Sequence, residues 1–173
     1  MSDFQHSMAD DAGAQTFVLK KTVVMVGMMG AGKTAVGRAL AQLLAVPFVD
    51  SDLEIEAAAN RTVPEIFARD GEVFFRARET EVISRLLGEE SCILSTGGGA
   101  FLSQENRVNF TRPLLRTSNP KETLAHLFAV RVPEYSKADL RVPCVSGISI
   151  EATAKLVLST LLTRPDVLER VNA

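Results

Sequence analysis

Apolar residues change their spacing several times along the chain, and each change marks an element. Thr22-Val23-Val24-Met25-Val26 is a β-branched apolar run without alternation, which predicts a parallel strand covered on both faces. After Lys33, apolar residues recur at Val36, Ala39, Leu40, Leu43 and Leu44, the spacing of a helix with one stripe against a sheet. Val46-Pro47-Phe48-Val49 predicts a second strand running into Asp50-Ser51-Asp52, with a short helix after it. Thr62 and Glu65 form a capping box and Pro64 suits a first turn, so residues 63–69 predict a short helix closed by Asp70-Gly71. Residues 72–87 predict a longer helix with Phe75, Val82, Ile83 and Leu86 on one face, stopped by Gly88. Residues 91–96 predict a third, buried strand leading into Gly97-Gly98-Gly99. Asn119-Pro120 opens a helix with Leu124, Leu127 and Phe128 on its core side, and residues 141–145 predict a weak strand. Ser149 caps a last helix carrying Val157, Leu158 and Leu161. The alternation predicts an α/β protein, a three-layer α/β/α sandwich around a central parallel sheet.

Composition narrows the function classes. A chain of 173 residues suits a single domain, here residues 21–173, and residues 1–20 read as a mobile tail poor in groups that could be buried. A net charge of −2 argues against nucleic acid as a partner, so an anionic substrate has to be held by individually placed Arg and Lys residues. No apolar run approaches the roughly 20 residues that span a bilayer, and no signal peptide opens the chain. A cytoplasmic location without membrane contact is expected, as a monomer working on small molecules. Cys92 and Cys144 lie in apolar runs and read as small reduced core residues.

The chemistry starts at Gly27-Met28-Met29-Gly30-Ala31-Gly32-Lys33-Thr34, a P-loop between a strand and a helix. Its glycines let backbone N–H groups turn inward around phosphate oxygens, and the helix presents its positive end to the same charge. Gly30, Ala31 and Gly32 would cradle the phosphates of a nucleoside triphosphate, Lys33 would reach its β and γ phosphates, and Thr34 would bind Mg²⁺. Asp50 follows a strand near this loop and reads either as a helix cap or as a metal carboxylate. Paired with Asp52 in an extended step, the two side chains point the same way, so one can serve the metal and the other a substrate hydroxyl. Three glycines after a buried strand carry an entropic cost that close approach of a ligand to the backbone explains better than a turn. Arg76 and Glu79 are spaced to meet on a helix, as an exposed ion pair or as an oriented guanidinium, and Arg131 is open to the same two readings.

Together these residues resemble the shikimate kinase family. The resemblance rests on GMMGAGKT, FVDSDLEIE, IFARDGEVFFRARETEVI, STGGGA, RPLLR and VRVPEYSKAD, in that family's order across residues 21–139. It implies a fold like that of the P-loop nucleoside monophosphate kinases. It also implies transfer of the ATP γ-phosphate to the 3-hydroxyl of shikimate, a step of aromatic precursor synthesis, with Mg²⁺ as cofactor. By the same resemblance Asp52 contacts the reacting hydroxyls, Arg76 and Arg131 pair with the shikimate carboxylate, and Gly98 and Gly99 offer backbone contacts. Asp50 sits near the magnesium through water, and Glu79 orients Arg76. Arg112 stands where the family has a lid arginine that closes over the phosphates, in a lid around residues 111–121.

The chain departs from the family between Gly99 and Arg112, where it has only residues 100–111. The family has a further strand and a helix there, so on the order of twenty residues are absent. That strand lies beside the P-loop strand in the family, so its loss leaves sheet edges unpaired. The departure keeps two alternatives in view: a nucleotide-binding homologue with impaired catalysis, and another small-metabolite kinase such as a gluconate kinase. DSD, GExxFRxxE and the triple glycine disfavour the latter. Near Val145-Ser146-Gly147, no residue identifies itself as an adenine contact.

Overall fold

The computed structural model describes residues 16–100, 120–143 and 145–171, with the backbone alone for residues 120–124. In chain order the elements are β1 (Thr16–Leu19), β2 (Val23–Met25), α1 (Lys33–Leu44), β3 (Phe48–Asp50), α2 (Ser51–Ala59) and α3 (Val63–Leu87). Then follow β4 (Ile93–Ser95), α4 (Pro120–Tyr135), α5 (Ile150–Leu161) and β5 (Leu168–Val171).

The three apolar runs become one parallel sheet in the order β2-β4-β3. Side chains alternate across a strand, so β4 serves two cores at once. Ile93 faces Leu40 and Leu44 of α1 and Ala154, Val157 and Leu161 of α5, whereas Cys92 and Leu94 face Leu86 of α3. Helices therefore cover both faces, giving the three layers that the alternation of elements predicts. Ile93, Leu94 and Leu40 are fully enclosed, and each such side chain contributes about 1.5–3 kcal/mol relative to exposure. Helix α1 lies so close to the sheet that a Cβ on Gly37 would come 2.8 Å from the Phe48 ring.

Several details differ from the expectations. Leu43 is 40% exposed, because α1 instead turns Gly37, Leu40, Ala41 and Leu44 inward. Phe128 is 58% exposed on α4, leaving Leu127 as the buried residue of that turn. Val24 is also partly exposed: β4 takes the central place, and β2 has β4 as its one neighbouring strand among the described residues. Residues 141–143 and 145 form no strand; Leu140 and Val142 pack against the α1–α5 core from a loop. Cys144 lies outside the described residues. Residues 63–87 form one element with a break at Gly71, whose φ of 78° and ψ of 175° are non-helical. The capping box at its start is present: Glu65 N donates to Thr62 Oγ1, and Thr62 N donates to Glu65 Oε2 at 2.8 Å.

Part of the stretch assigned to a tail, residues 1–20, is a strand. Its residues Thr16–Leu19 form β1, which pairs antiparallel with β5, while residues 1–15 lie outside the described ones. Phe17, Leu19 and Leu168 join the α1–α5 core, and the rim carries charge. Lys20 Nζ lies 2.7 Å from Glu169, and Asp166 accepts from Lys21 Nζ at 2.9 Å and from Arg164 Nε at 2.9 Å and Nη2 at 3.1 Å. Hydrogen bonds from Arg164 first and from Lys21 second hold the Asp166 carboxyl well below the usual carboxylate range. A depressed folded pKa means that the pairing stabilises the fold above the unfolded value of 3.8 and is lost as pH falls below it. Asp166→Asn is expected to lower Tm slightly at pH 7, and thermal melts should show its difference from wild type narrowing as the pH is taken below about 4.

Candidate active site

The phosphate loop leaves the end of β2 with three glycines in conformations that side chains rarely adopt: Gly27 at φ 145°, Gly30 at φ 75° and Gly32 at φ 77°. Gly32 is the N-cap of α1 and offers no side-chain cap. The first N–H groups of the helix are thus left facing the cleft, where an anion can satisfy them. Lys33 folds back along the loop, donating to the carbonyls of Gly27 and Met28 at 2.9 Å each.

Asp50 closes β3 and caps α2, accepting from Asp52 N at 3.0 Å. Its other oxygen accepts from Thr34 Oγ1 at 3.1 Å. It is therefore a helix cap, as one of its two readings had it, and at the same time a neighbour of the Thr34 hydroxyl. The extended step from Asp50 to Asp52 is not formed, because α2 begins at Ser51 and Asp52 stands in its first turn. Both carboxylates nevertheless line one cleft of about 410 Å³ with Gly30, Gly32, Lys33 and Thr34. Thr96, Gly97 and Gly98 close its other side.

Ser95, at the end of β4, lies 3.3 Å from Thr34 Oγ1. Since Thr34 gives its hydrogen to Asp50, Ser95 is the donor in that contact. Thr96 donates twice to the carbonyl of Met25, from N at 3.3 Å and from Oγ1 at 3.0 Å, tying the triple glycine to the root of the phosphate loop. The closest approach is at Gly98, where a Cβ would stand 3.1 Å from Met29 N and 3.5 Å from Gly27 O.

Arg76, Glu79, Gly99 and Arg131 are not among the described residues lining this cleft. Glu79 on α3 is fully buried and accepts a hydrogen bond from Arg76 Nη1, while Glu72 lies 3.6 Å from Arg76 Nε and the Phe75 ring 4.9 Å from the guanidinium carbon. Burial decides between the two readings of this pair: an enclosed carboxylate on a nearly enclosed guanidinium fixes its orientation, which an exposed pair does not do. Arg131 is 2% exposed on α4. Arg112 lies outside the described residues, as does the expected lid up to residue 119.

The family model for shikimate kinase matches residues 29–111. The shikimate kinase of Ruegeria pomeroyi is 52% identical over 193 aligned positions that take in 98% of this chain and 99% of that protein. The chain belongs to the shikimate kinase family. That of Cereibacter sphaeroides is 55% identical over 87% of each chain. Among solved structures, a shikimate kinase from Acinetobacter baumannii in complex with shikimate superposes with a TM-score of 0.76 at 35% identity, covering 83% of this chain and 93% of that one. Neither a non-catalytic homologue nor a gluconate kinase is favoured by these matches.

The alignment with the Ruegeria pomeroyi protein also gives the number of its positions that this chain lacks. Of the 193 positions aligned with the Ruegeria pomeroyi protein, 98% of this chain's 173 residues fill about 170, so about 23 have no counterpart here. The match to the family model ends at residue 111, just before the lid phrase.

Ser95 was not foreseen as a site residue. It reads as one more position of a buried strand, and only its level beside Thr34 gives it a role. The contact at Gly98 carries a test: Gly98→Ala must push a methyl group against the backbone of the phosphate loop. Its affinity for MgADP is expected to fall about tenfold, roughly 1.4 kcal/mol, as calorimetric titration would show.

Proposed function

We propose that the chain transfers the γ-phosphoryl group of ATP to the 3-hydroxyl of shikimate, giving shikimate 3-phosphate and ADP on the route to chorismate and the aromatic amino acids. The observation that carries this reading is the single cleft in which a phosphate loop faces Asp52 and the triple glycine, in a chain of this family. Donor and acceptor chemistry then share one space.

The N–H groups around Gly30, Ala31 and Gly32 bind the phosphates, and Lys33 exchanges its carbonyl partners for β and γ oxygens. Asp52 accepts the proton of the 3-hydroxyl as that oxygen bonds to the γ phosphorus and the bond from phosphorus to the β-phosphate oxygen breaks. Arg76, oriented by Glu79, and Arg131 hold the shikimate carboxylate, for which the fork of a guanidinium is the matching donor. Gly98 and Gly99 add backbone contacts, and Arg112 closes over the phosphates with the lid, stabilising charge and excluding water.

Mg²⁺ fits the donor set. Thr34 and Asp50 put a hydroxyl and a carboxylate 3.1 Å apart in the cleft, hard oxygen donors of the kind this ion prefers. Bound there, it would supply positive charge against the β and γ phosphates. No helix among the described residues is long and apolar enough to cross a membrane, and we take the enzyme to work in the cytoplasm as a monomer.

A coupled assay of ADP release should show turnover that depends on shikimate, and its absence in the intact protein would overturn the reading. In the same assay Asp52→Asn is expected to reduce kcat by about 10²- to 10⁴-fold. Arg76→Ala should raise the KM for shikimate by at least about tenfold while the Kd for MgADP stays within about twofold of wild type. Equal losses for both ligands would reject the carboxylate role of Arg76.

A further inference from the structure

Tyr135 is the last residue of α4, one helical turn beyond Arg131. Its hydroxyl donates to the carbonyl of Gly98 at 2.7 Å, a bond between residues 37 positions apart in sequence. Gly98 in turn lies against the phosphate loop, its Cβ position 3.1 Å from Met29 N. Two contacts in series thus run from the helix of Arg131 through the triple glycine to the loop that binds phosphate.

The middle link needs an external hold. Gly97, Gly98 and Gly99 have no side chains to restrict them, and glycine has more backbone freedom to lose than any other residue. The segment is held at one end by Thr96 on Met25, and internally Ala100 N donates to Gly97 O at 3.0 Å. The Tyr135 hydroxyl fixes the peptide between these points. Fixing the Gly98 carbonyl fixes the plane of the Gly98–Gly99 peptide, hence the direction of the Gly99 N–H, since the unit is rigid.

We infer that Tyr135 is a positioning residue that couples Arg131 to the phosphate loop through the triple glycine, so that a ligand ordering α4 through Arg131 also orders the face of the phosphate loop at Met29. The inference rests on the shikimate phosphotransfer proposed above. Linkage then requires each substrate to tighten binding of the other by the same factor. One neutral hydrogen bond is worth enough to change such a factor by roughly three- to tenfold.

The test uses the full chain and Tyr135→Phe, which removes one oxygen and keeps the ring. MgADP affinity is measured by calorimetry with and without saturating shikimate, alongside steady-state kinetics and thermal melts. Wild type is expected to bind MgADP several-fold more tightly with shikimate present. In Tyr135→Phe that ratio should fall toward one and the KM for shikimate should rise roughly three- to tenfold, with the KM for ATP measured without saturating shikimate and the Tm little changed. An unchanged ratio in the variant, or a lower Tm with a fall in kcat alone, would overturn the inference, as would a wild type without coupling. Failure of wild type to turn over shikimate at all would instead reject the phosphotransfer reading, and this inference with it.

Discussion

The cleft depends on the register of β4 between β2 and β3. Met25 and Asp50 both pair with Ser95, so the phosphate loop, Asp50 and the triple glycine leave the sheet at one level. Parallel pairing makes this possible, because the carboxyl ends of all three strands point the same way and their loops converge there. A slip of one residue in β4 would turn Ile93 away from α1 and Leu94 away from α3, so the two cores that flank the strand enforce the register that the cleft needs. Stability and function are in this respect one constraint.

Above that edge the site is built largely from backbone. Gly27, Gly30 and Gly32 adopt conformations that side chains rarely take, and at Gly98 a side chain would meet the phosphate loop. The side chains that matter are held by one another: Ser95 on Thr34, Thr34 on Asp50, Asp50 on the start of α2. Such a network limits the reorganisation needed when charge arrives, which is where preorganised sites gain over water. Arg76 is held in the same way, its guanidinium set by the buried Glu79.

Strand β2 has β4 as its one neighbour among the described residues, and the residues that hold it on the other sides are those of α1 and the α1–α5 core. That core is enlarged by the β1–β5 pair, which brings Phe17, Leu19 and Leu168 against α1 and closes its rim with Arg164, Asp166, Lys20 and Lys21. The strand order and the helices on both faces persist in a chain with about 23 fewer positions than the relative it matches most fully end to end among those described.

Local signals determined much of this protein. The P-loop, the capping box of Thr62 with Glu65, the Gly71 break and the buried run of β4 are legible because each depends on neighbours a few residues away. The pairs Asp50 with Asp52 and Arg76 with Glu79 and the triple glycine were legible from spacing, whereas the ligand roles of Asp52, Arg76 and Arg131 came from the resemblance to the family. Only the tertiary structure decided that Glu79 is buried and its pair with Arg76 an oriented one, that Asp50 caps a helix and meets Thr34, and that Ser95 and Tyr135 bear on the cleft at all. The β1–β5 pairing also escaped the pattern, since LERV carries two charges in four residues and finds its partner across the whole length of the chain. Spacing along a chain reports which face a residue takes; which residues meet across tens or hundreds of positions is set by the register of the sheet and the packing of both cores.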